Sequence, residues 1–212
     1  MKVAAIIPAL NEEQNIANVI RPLRQSRLVN EIIVIDDGST DRTARVAQSA
    51  GARVITHQNN CGKGIAMFAG ANATDADILF FADADLMHFI PQHADALIEP
   101  VKNGEVGMTV GLRDRGRFLT WLLPHIAPVL GGERAIRRVD FLKLSGNSVR
   151  DFGIETAMNA YCRKHHIAVR YSVLQGLRQV VKERKYGFWK GFRARIRMFW
   201  QIIRAEIETL WK

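Results

Sequence analysis

Asp83 and Asp85 stand two positions apart at the end of the apolar run ILFFADADL, residues 78–86. Two carboxylates at i and i+2 on a turn can share a hard divalent cation. Mg²⁺ and Mn²⁺ favour oxygen ligands, and Mg²⁺ usually takes one or two protein carboxylates plus substrate phosphates. Asp83 and Asp85 therefore suit a metal–diphosphate clamp. The competing reading is a helix-capping pair on a surface loop.

Two other stretches carry chemistry. In NNCGKG (59–64), Gly62 and Gly64 flank Lys63. Glycines there permit close backbone approach and bring one cation to a phosphate, although a plain turn with an exposed lysine has the same composition. The full phosphate-loop spacing GxxxxGK[ST] is absent, and no GxGxxG follows a strand, which argues against a dinucleotide cofactor. In DDGSTD (36–41), Asp36 and Asp37 directly follow an apolar run. A carboxylate there can accept from the imide N–H of uracil or the N1/N2 edge of guanine. Capping is the alternative for Asp36 and the expectation for Asp41.

These residues need a frame. KVAAIIP (2–8), EIIVID (31–36), RVITH (53–57) and DILFFAD (77–83) read as strands. Between the first two, NEEQNIANVIRPLRQ reads as a helix capped by Asn11, with Ile16, Val19, Ile20 and Leu23 on one face. DGSTDRTARVAQSAG reads as a second helix, capped by Ser39, Thr40 or Asp41 and closed by Gly51. IAMFAGANAT reads as a third, rich in small residues. Near-continuous apolar strands alternating with helices imply a parallel sheet covered on both faces. Right-handed crossovers put the loops after the strands on one edge, where such sheets bind ligands. Pro8–Glu12, Asp36–Ser39, Asn60–Gly64 and Asp83–Asp85 should converge there.

Beyond residue 86 a helix is expected over HADALIEPVKNG and a strand over 106–113. A helix is expected over 153–166, an extended segment over 168–181, and a long helix over about 187–211. The chain has 212 residues, 48% hydrophobic and 24% charged, which suits one domain with a small appendage. The expected division is a catalytic domain over 1–186 and a basic amphipathic helix over 187–212. Cys61 and Cys162 make no metal spacing and no disulfide framework, so a reduced cytoplasmic setting is expected. The N-terminus turns acidic too soon for a signal peptide, and no run approaches the ~20 apolar residues of a membrane span.

Net charge is +9, concentrated at the C-terminus, where nine Lys and Arg stand against three Glu from Lys182 onward. Such a tail suits an anionic partner. In the last helix, Trp189, Phe192, Ile196, Phe199, Ile203, Ile207 and Leu210 recur at three and four, with Lys190, Arg193, Arg197 and Arg204 on one flank. That face either packs on the core or a second copy, giving a homodimer, or rests peripherally on the anionic inner face of the cell membrane. The apolar stretch FLTWLLPHIAPVL (118–130) would be a second lipid-facing element.

IIPALNEE, IIVIDDGSTD, NNCGKGIAMFAG and FFADADL, in that order, resemble glycosyltransferase family 2. The resemblance is strong over residues 1–90 and loose over 130–190. It implies the α/β GT-A fold, with a Rossmann-like, mainly parallel central sheet and helices on both faces. It also implies a nucleotide-diphosphate sugar donor and Mg²⁺ or Mn²⁺. Carried over, Pro8, Leu10, Glu12, Ile35, Asp37 and Lys63 would line the donor nucleotide. Asp83, Ala84 and Asp85 would hold ribose, metal and diphosphate, with Asp85 the direct metal ligand. FADADLMHF resembles polyprenyl-phosphate sugar transferases, but Met87 stands where their glutamine ligand often does, and a thioether suits a hard cation poorly. GGERAIRR and FGIETAMNAY resemble UDP-glucose-using glucosyl-phosphoglycerate synthases. KERKYG resembles a late basic loop that reaches the donor diphosphate, making Lys182, Arg184 and Lys185 phosphate-binding candidates, with Lys185 counted as catalytic.

The implied activity is transfer of a hexose from a UDP-glucose or GDP-mannose type donor to a phosphate-bearing or polyprenyl-phosphate acceptor. A phosphate acceptor is already anionic, whereas a hydroxyl acceptor would call for a carboxylate base. Glu155 is the first candidate base and Glu133 the second. Transfer to a soluble hydroxyl acceptor is an alternative. A nucleotidyltransferase is another, disfavoured because PALNEE, rather than a Gly-rich basic loop, follows the first strand. A nucleic-acid partner is not expected, since paired carboxylates at a ligand edge repel phosphate unless a metal intervenes.

Overall fold

The computed structural model describes residues 1–113, 132–144 and 153–179. Its first half alternates strand and helix: β1 (Val3–Ala9), α1 (Ile16–Gln25), β2 (Glu31–Asp36), α2 (Thr43–Ser49), β3 (Arg53–Thr56), α3 (Lys63–Asn72) and β4 (Ile78–Phe81). There follow β5 (Leu86–Met87), α4 (Pro91–Lys102), β6 (Met108–Arg113), β7 (Arg134–Arg137), α5 (Arg138–Phe141), α6 (Ile154–Lys164), β8 (Val169–Leu174) and β9 (Arg178–Gln179). Within the expected segment 168–181, the described residues form two short strands, β8 and β9, around a turn at Gln175–Gly176.

The main sheet has seven strands in the order β3-β2-β1-β4-β7-β6-β8. β1 pairs in parallel with both β2 and β4, and β2 with β3. β7 lies antiparallel between β4 and β6, and β8 runs parallel to β6. The sheet is mainly parallel, as expected, but the reversed strand is a departure. The segment RAIR carries two arginines and has no alternation that marks a strand, so its insertion beside β4 was not legible. A separate β5–β9 ribbon pairs Leu86 with Gln179 and Met87 with Arg178.

Period-two alternation explains why β1 is buried on both sides. Val3, Ala5 and Ile7 join one core with Ile16, Val19 and Ile20 of α1 and Leu97 of α4. Ala4 and Ile6 join the other with Ala66 and Met67 of α3 and Met158 of α6. Each fully buried isoleucine contributes about 1.5–3 kcal/mol relative to an exposed one. Helix α3 sits close against β1 because Gly70 lacks a side chain: a Cβ there would lie 2.5 Å from Ile6 Cγ2. This is the physical use of the small-residue helix read in the sequence.

Two expected caps are corrected. Helix α1 begins at Ile16, and Asn11 does not cap it. Asn11 instead takes a left-handed backbone at φ 54 and uses Oδ1 to accept the Thr40 N–H at 2.9 Å. Its short polar side chain tolerates that region and gains more by tying two loops together. The N-cap of α2 is Arg42 rather than Asp41, which stands one residue earlier and accepts the Thr43 N–H through Oδ1 at 2.9 Å. Among the described residues, no helix is long and apolar enough to cross a membrane. The expectations for 118–130, for Lys182, Arg184 and Lys185, and for the 187–212 helix with its membrane and homodimer faces fall outside the described residues.

Candidate functional site

Strand order reverses between β1 and β4: the chain proceeds from β1 toward β2 and β3 on one side, while β4 adds on the other. Such a switch point opens a crevice at the carboxyl ends of the two strands. The loops after β1 and β4 flank it, and the loops after β2 and β3 lie beside them.

The first two loops are laced together by short side chains. The Asn11 N–H donates to Ser39 Oγ at 2.9 Å and the Glu12 N–H to Thr43 Oγ1 at 2.7 Å. Glu13 Oε2 accepts from the Arg42 N–H and from Arg42 Nε at 3.1 and 3.0 Å. Glu12 Oε2 accepts from Asn15 Nδ2 at 2.8 Å. Pro8 pairs in register with Ile35 and is half-buried, as is Leu10. The Ile35 side chain is different. It is fully buried in the core with Ile33 and Met67, so its side chain does not line a cleft.

Asp36 and Asp37 divide their work. Asp36 Oδ1 accepts the Ser39 N–H at 3.1 Å within its own loop. Asp37 reaches across to the third loop. Its carboxylate accepts from the Cys61 and Gly62 N–H groups at 3.0 and 2.8 Å and lies 2.7 Å from His57 Nδ1. Gly62 takes φ 96, which lets both amides turn toward that carboxylate. Asp37 thereby fixes the turn that launches α3 and its first residue, Lys63.

Lys63 then crosses the crevice. Its Nζ lies 2.7 Å from Asp83 Oδ1 and 2.6 Å from Glu155 Oε1. Both carboxylates are 16% exposed, against 39% for the lysine side chain. Burial disfavours the ammonium, but Asp83 and Glu155 outweigh it and hold the Lys63 pKa above the ordinary lysine value. Burial likewise pushes Glu155 up, yet Lys63 and then Arg134 prevail and hold it below the usual carboxylate value. Among the described residues, Lys63 at the start of α3, 20 residues earlier, thus brings a positive charge to face Asp83.

Two features were not found by sequence reasoning. A Cβ on Gly132 would lie 2.5 Å from Asp83 Oδ2, so that glycine leaves the room the carboxylate occupies. Arg134, fully buried on β7, donates from Nη1 to Asn159 Oδ1 at 2.7 Å and to the Glu155 carbonyl at 3.3 Å. It thereby holds the first turns of α6, and with them Glu155, against the sheet. Charge in GGERAIRR reads as surface by hydropathy, which hid both. Glu133, the second base candidate, is fully buried directly before β7. Ala84 is buried in the first core, and Asp85 is half-buried directly before β5. Met87, at the expected third-ligand position, is 44% exposed on β5.

The family described as Glycosyl transferase family 2 matches residues 4–160. A 4,4'-diaponeurosporenoate glycosyltransferase of Staphylococcus haemolyticus is 43% identical over 90 residues, covering 40% of this chain and 24% of that protein. A glucosyl-3-phosphoglycerate synthase of Mycobacterium tuberculosis is 38% identical over 112 residues, covering 49% and 35%. An undecaprenyl-phosphate 4-deoxy-4-formamido-L-arabinose transferase of Proteus mirabilis is 28% identical over 176 residues, covering 78% and 50%. The chain thus spans half or less of the length of these curated relatives. Among solved structures, the M. tuberculosis glucosyl-3-phosphoglycerate synthase in complex with Mn²⁺, UDP-glucose and phosphoglyceric acid superposes with a TM-score of 0.69. Sequence identity is 27%, and the match covers 85% of this chain and 72% of that one.

Proposed function

Because the chain belongs to glycosyl transferase family 2, we propose that it moves a hexosyl group from a nucleoside-diphosphate sugar, UDP-glucose in the first instance, to a phosphate-bearing acceptor. The observation that carries this reading is the meeting of Lys63, Asp83 and Glu155 at the switch point between β1 and β4. The UDP-glucose and Mn²⁺ held by the solved synthase favour the donor and the metal.

Asp83 and Asp85 are the residues that would hold Mg²⁺ or Mn²⁺. Their all-oxygen donor set fits a hard cation, and half-burial of both leaves coordination positions for donor phosphate oxygens. When bound, that ion would neutralise charge on the departing nucleoside diphosphate. The remaining work falls to the chain. The half-buried Pro8 and Leu10 and the carboxylates of Glu12 and Asp37 border the nucleoside end, with the peptide backbone at Ile35 beside them. Lys63 places a fixed cation at the diphosphate end, preorganised by two carboxylates. Lys182, Arg184 and Lys185 would add positive charge from the later segment.

Glu155 suits positioning better than proton abstraction. A carboxylate held below its ordinary pKa by an ammonium is a weak base. An acceptor that brings its own negative charge needs least from it. The second reading of the acceptor is a polyprenyl phosphate at an anionic membrane surface, favoured by the match to the undecaprenyl-phosphate transferase and by the basic residues after Lys182.

A thermal-shift panel of UDP, GDP, UDP-glucose and GDP-mannose, each with and without Mn²⁺, tests the donor. UDP and UDP-glucose should raise the melting temperature only with the metal, by mass action on the folded state. Absence of any shift with any nucleotide would overturn the proposal.

A further inference from the structure

Asp37, His57 and Cys61 form the one group of three metal-capable side chains among the described residues, with donor atoms all within 4.8 Å of one another. The sheet assembles them. Asp37 follows β2, His57 follows β3, and Cys61 stands two residues before α3. The His57 N–H donates to the Asp36 carbonyl at 2.9 Å, which holds the imidazole beside the end of β2. The Asp37 carboxylate is oriented by the amides of Cys61 and Gly62. Cys61 Sγ donates to the Asn59 carbonyl at 3.3 Å.

This donor set differs in kind from the one at Asp83 and Asp85. The carboxylate is a hard ligand, but the borderline imidazole and the soft sulfur beside it favour Zn²⁺ over Mg²⁺ or Mn²⁺. We propose that Asp37, His57 and Cys61 bind a divalent ion of the Zn²⁺ class, with a fourth position left for water or another ligand. Three protein ligands and one open position are an ordinary zinc arrangement. The amide bonds to Asp37 supply the outer support that orients a ligating carboxylate.

The rearrangement required is small. A tetrahedral ion with bonds near 2.1 Å separates N and O donors by about 3.4 Å. His57 Nδ1 and Asp37 Oδ1, now 2.7 Å apart, must therefore part slightly. The Cys61 sulfur must turn from the Asn59 carbonyl. Cys61 is exposed, and a Cβ added at Gly62 would meet nothing within 4 Å, so the turn has space to adjust.

An ion there would clamp the β2–α2 and β3–α3 loops immediately before Lys63. It would also engage Asp37, which the glycosyltransferase reading places at the nucleoside end. Zn²⁺ should then weaken nucleotide binding while Mg²⁺ supports it. That consequence rests on the proposed function; metal binding at the trio does not.

The test uses the full chain and Co²⁺ as a spectroscopic probe. Thiolate ligation gives a near-ultraviolet charge-transfer band that all-oxygen ligation at Asp83 and Asp85 cannot. The band should saturate at one equivalent, be displaced by Zn²⁺ and persist in excess Mg²⁺. It should vanish in Cys61→Ser, survive in Cys162→Ser, and leave the Cys61→Ser melting temperature unchanged. Loss of His57 in His57→Gln should weaken Zn²⁺ binding about tenfold or more, at least the cost of losing an outer-shell partner. A spectrum without the band, or a band that survives Cys61→Ser, overturns the site. UDP titrations with Mg²⁺ separate the two readings. If UDP binds but the band is missing, the trio is only a hydrogen-bonded His–Asp pair beside a thiol. If the band forms but no nucleotide binds, the site stands and the donor assignment fails.

Discussion

Lys63 Nζ lies 2.7 Å from Asp83 Oδ1, so the residue that opens α3 supplies the charge facing the first carboxylate after β4. The same ammonium reaches Glu155 at 2.6 Å, at the first turn of α6. One cation thus ties three elements that are remote in the chain, and it does so at the switch point of the sheet.

Removing that cation should show first in stability. Lys63→Met leaves two partly buried carboxylates facing each other. The loss should be about 1–2 kcal/mol, below the 3–5 kcal/mol of a fully buried pair because water screens the 39%-exposed lysine. A fall of several degrees in melting temperature at pH 7 is the readout. An unchanged melting temperature contradicts the pairing.

The same pair sets a pH dependence. Glu155 has a depressed folded-state pKa, so its contribution is present above the unfolded value and lost as pH falls through the folded one. Lys63 is raised, so its contribution is present below the ordinary value of 10.5 and lost only as pH rises through the higher folded value. Urea denaturation of the wild type should therefore weaken more steeply between about pH 5 and pH 3 than that of Lys63→Met. Parallel curves would argue against this linkage.

Gly132→Ala probes the room beside Asp83. The added methyl would lie 2.5 Å from Asp83 Oδ2, so the carboxylate must move. Since the lysine can follow it, the fold should survive, while Mn²⁺-dependent stabilisation by UDP should shrink. Equal UDP stabilisation in wild type and variant would show that Asp83 does not need its present position.

Asp85→Asn addresses the metal directly. If Asp85 is the direct ligand, metal-dependent sugar-nucleotide turnover should fall about 10²–10³-fold, the scale of losing one electrostatic stabiliser. Circular dichroism should match the wild type, because Asp85 is half-buried at a loop and outside the core. Turnover within a few-fold of wild type would remove Asp85 from the metal site.

Gly38→Ala tests the loop lattice. Gly38 holds φ +80, and a Cβ there would lie 2.8 Å from the Asn59 carbonyl carbon. Backbone strain alone costs about 1–3 kcal/mol, and the clash with backbone adds to it. A variant that melts with the wild type would mean the two loops part freely.

The local pattern of the first 85 residues determined the alternation of strand and helix, the parallel pairing of β1 to β4, and the gathering of four polar loops at one edge. Those outcomes follow from side-chain periodicity and crossover handedness, which are properties of short stretches. That stretch also marked Lys63 and Asp83 as chemistry-bearing residues, and the later FGIETAMNAY marked Glu155. Tertiary structure alone decided that Lys63 bridges Asp83 and Glu155, and that Asp37 turns toward His57 and Cys61. It decided too that RAIR enters the sheet in reverse, with Arg134 buried. These are contacts between residues 20 or more positions apart, such as Lys63 with Glu155. Burial of a charged strand is favourable only when distant partners such as Asn159 satisfy it. Composition and periodicity report on neighbours in the chain, and such partners are neighbours only in space.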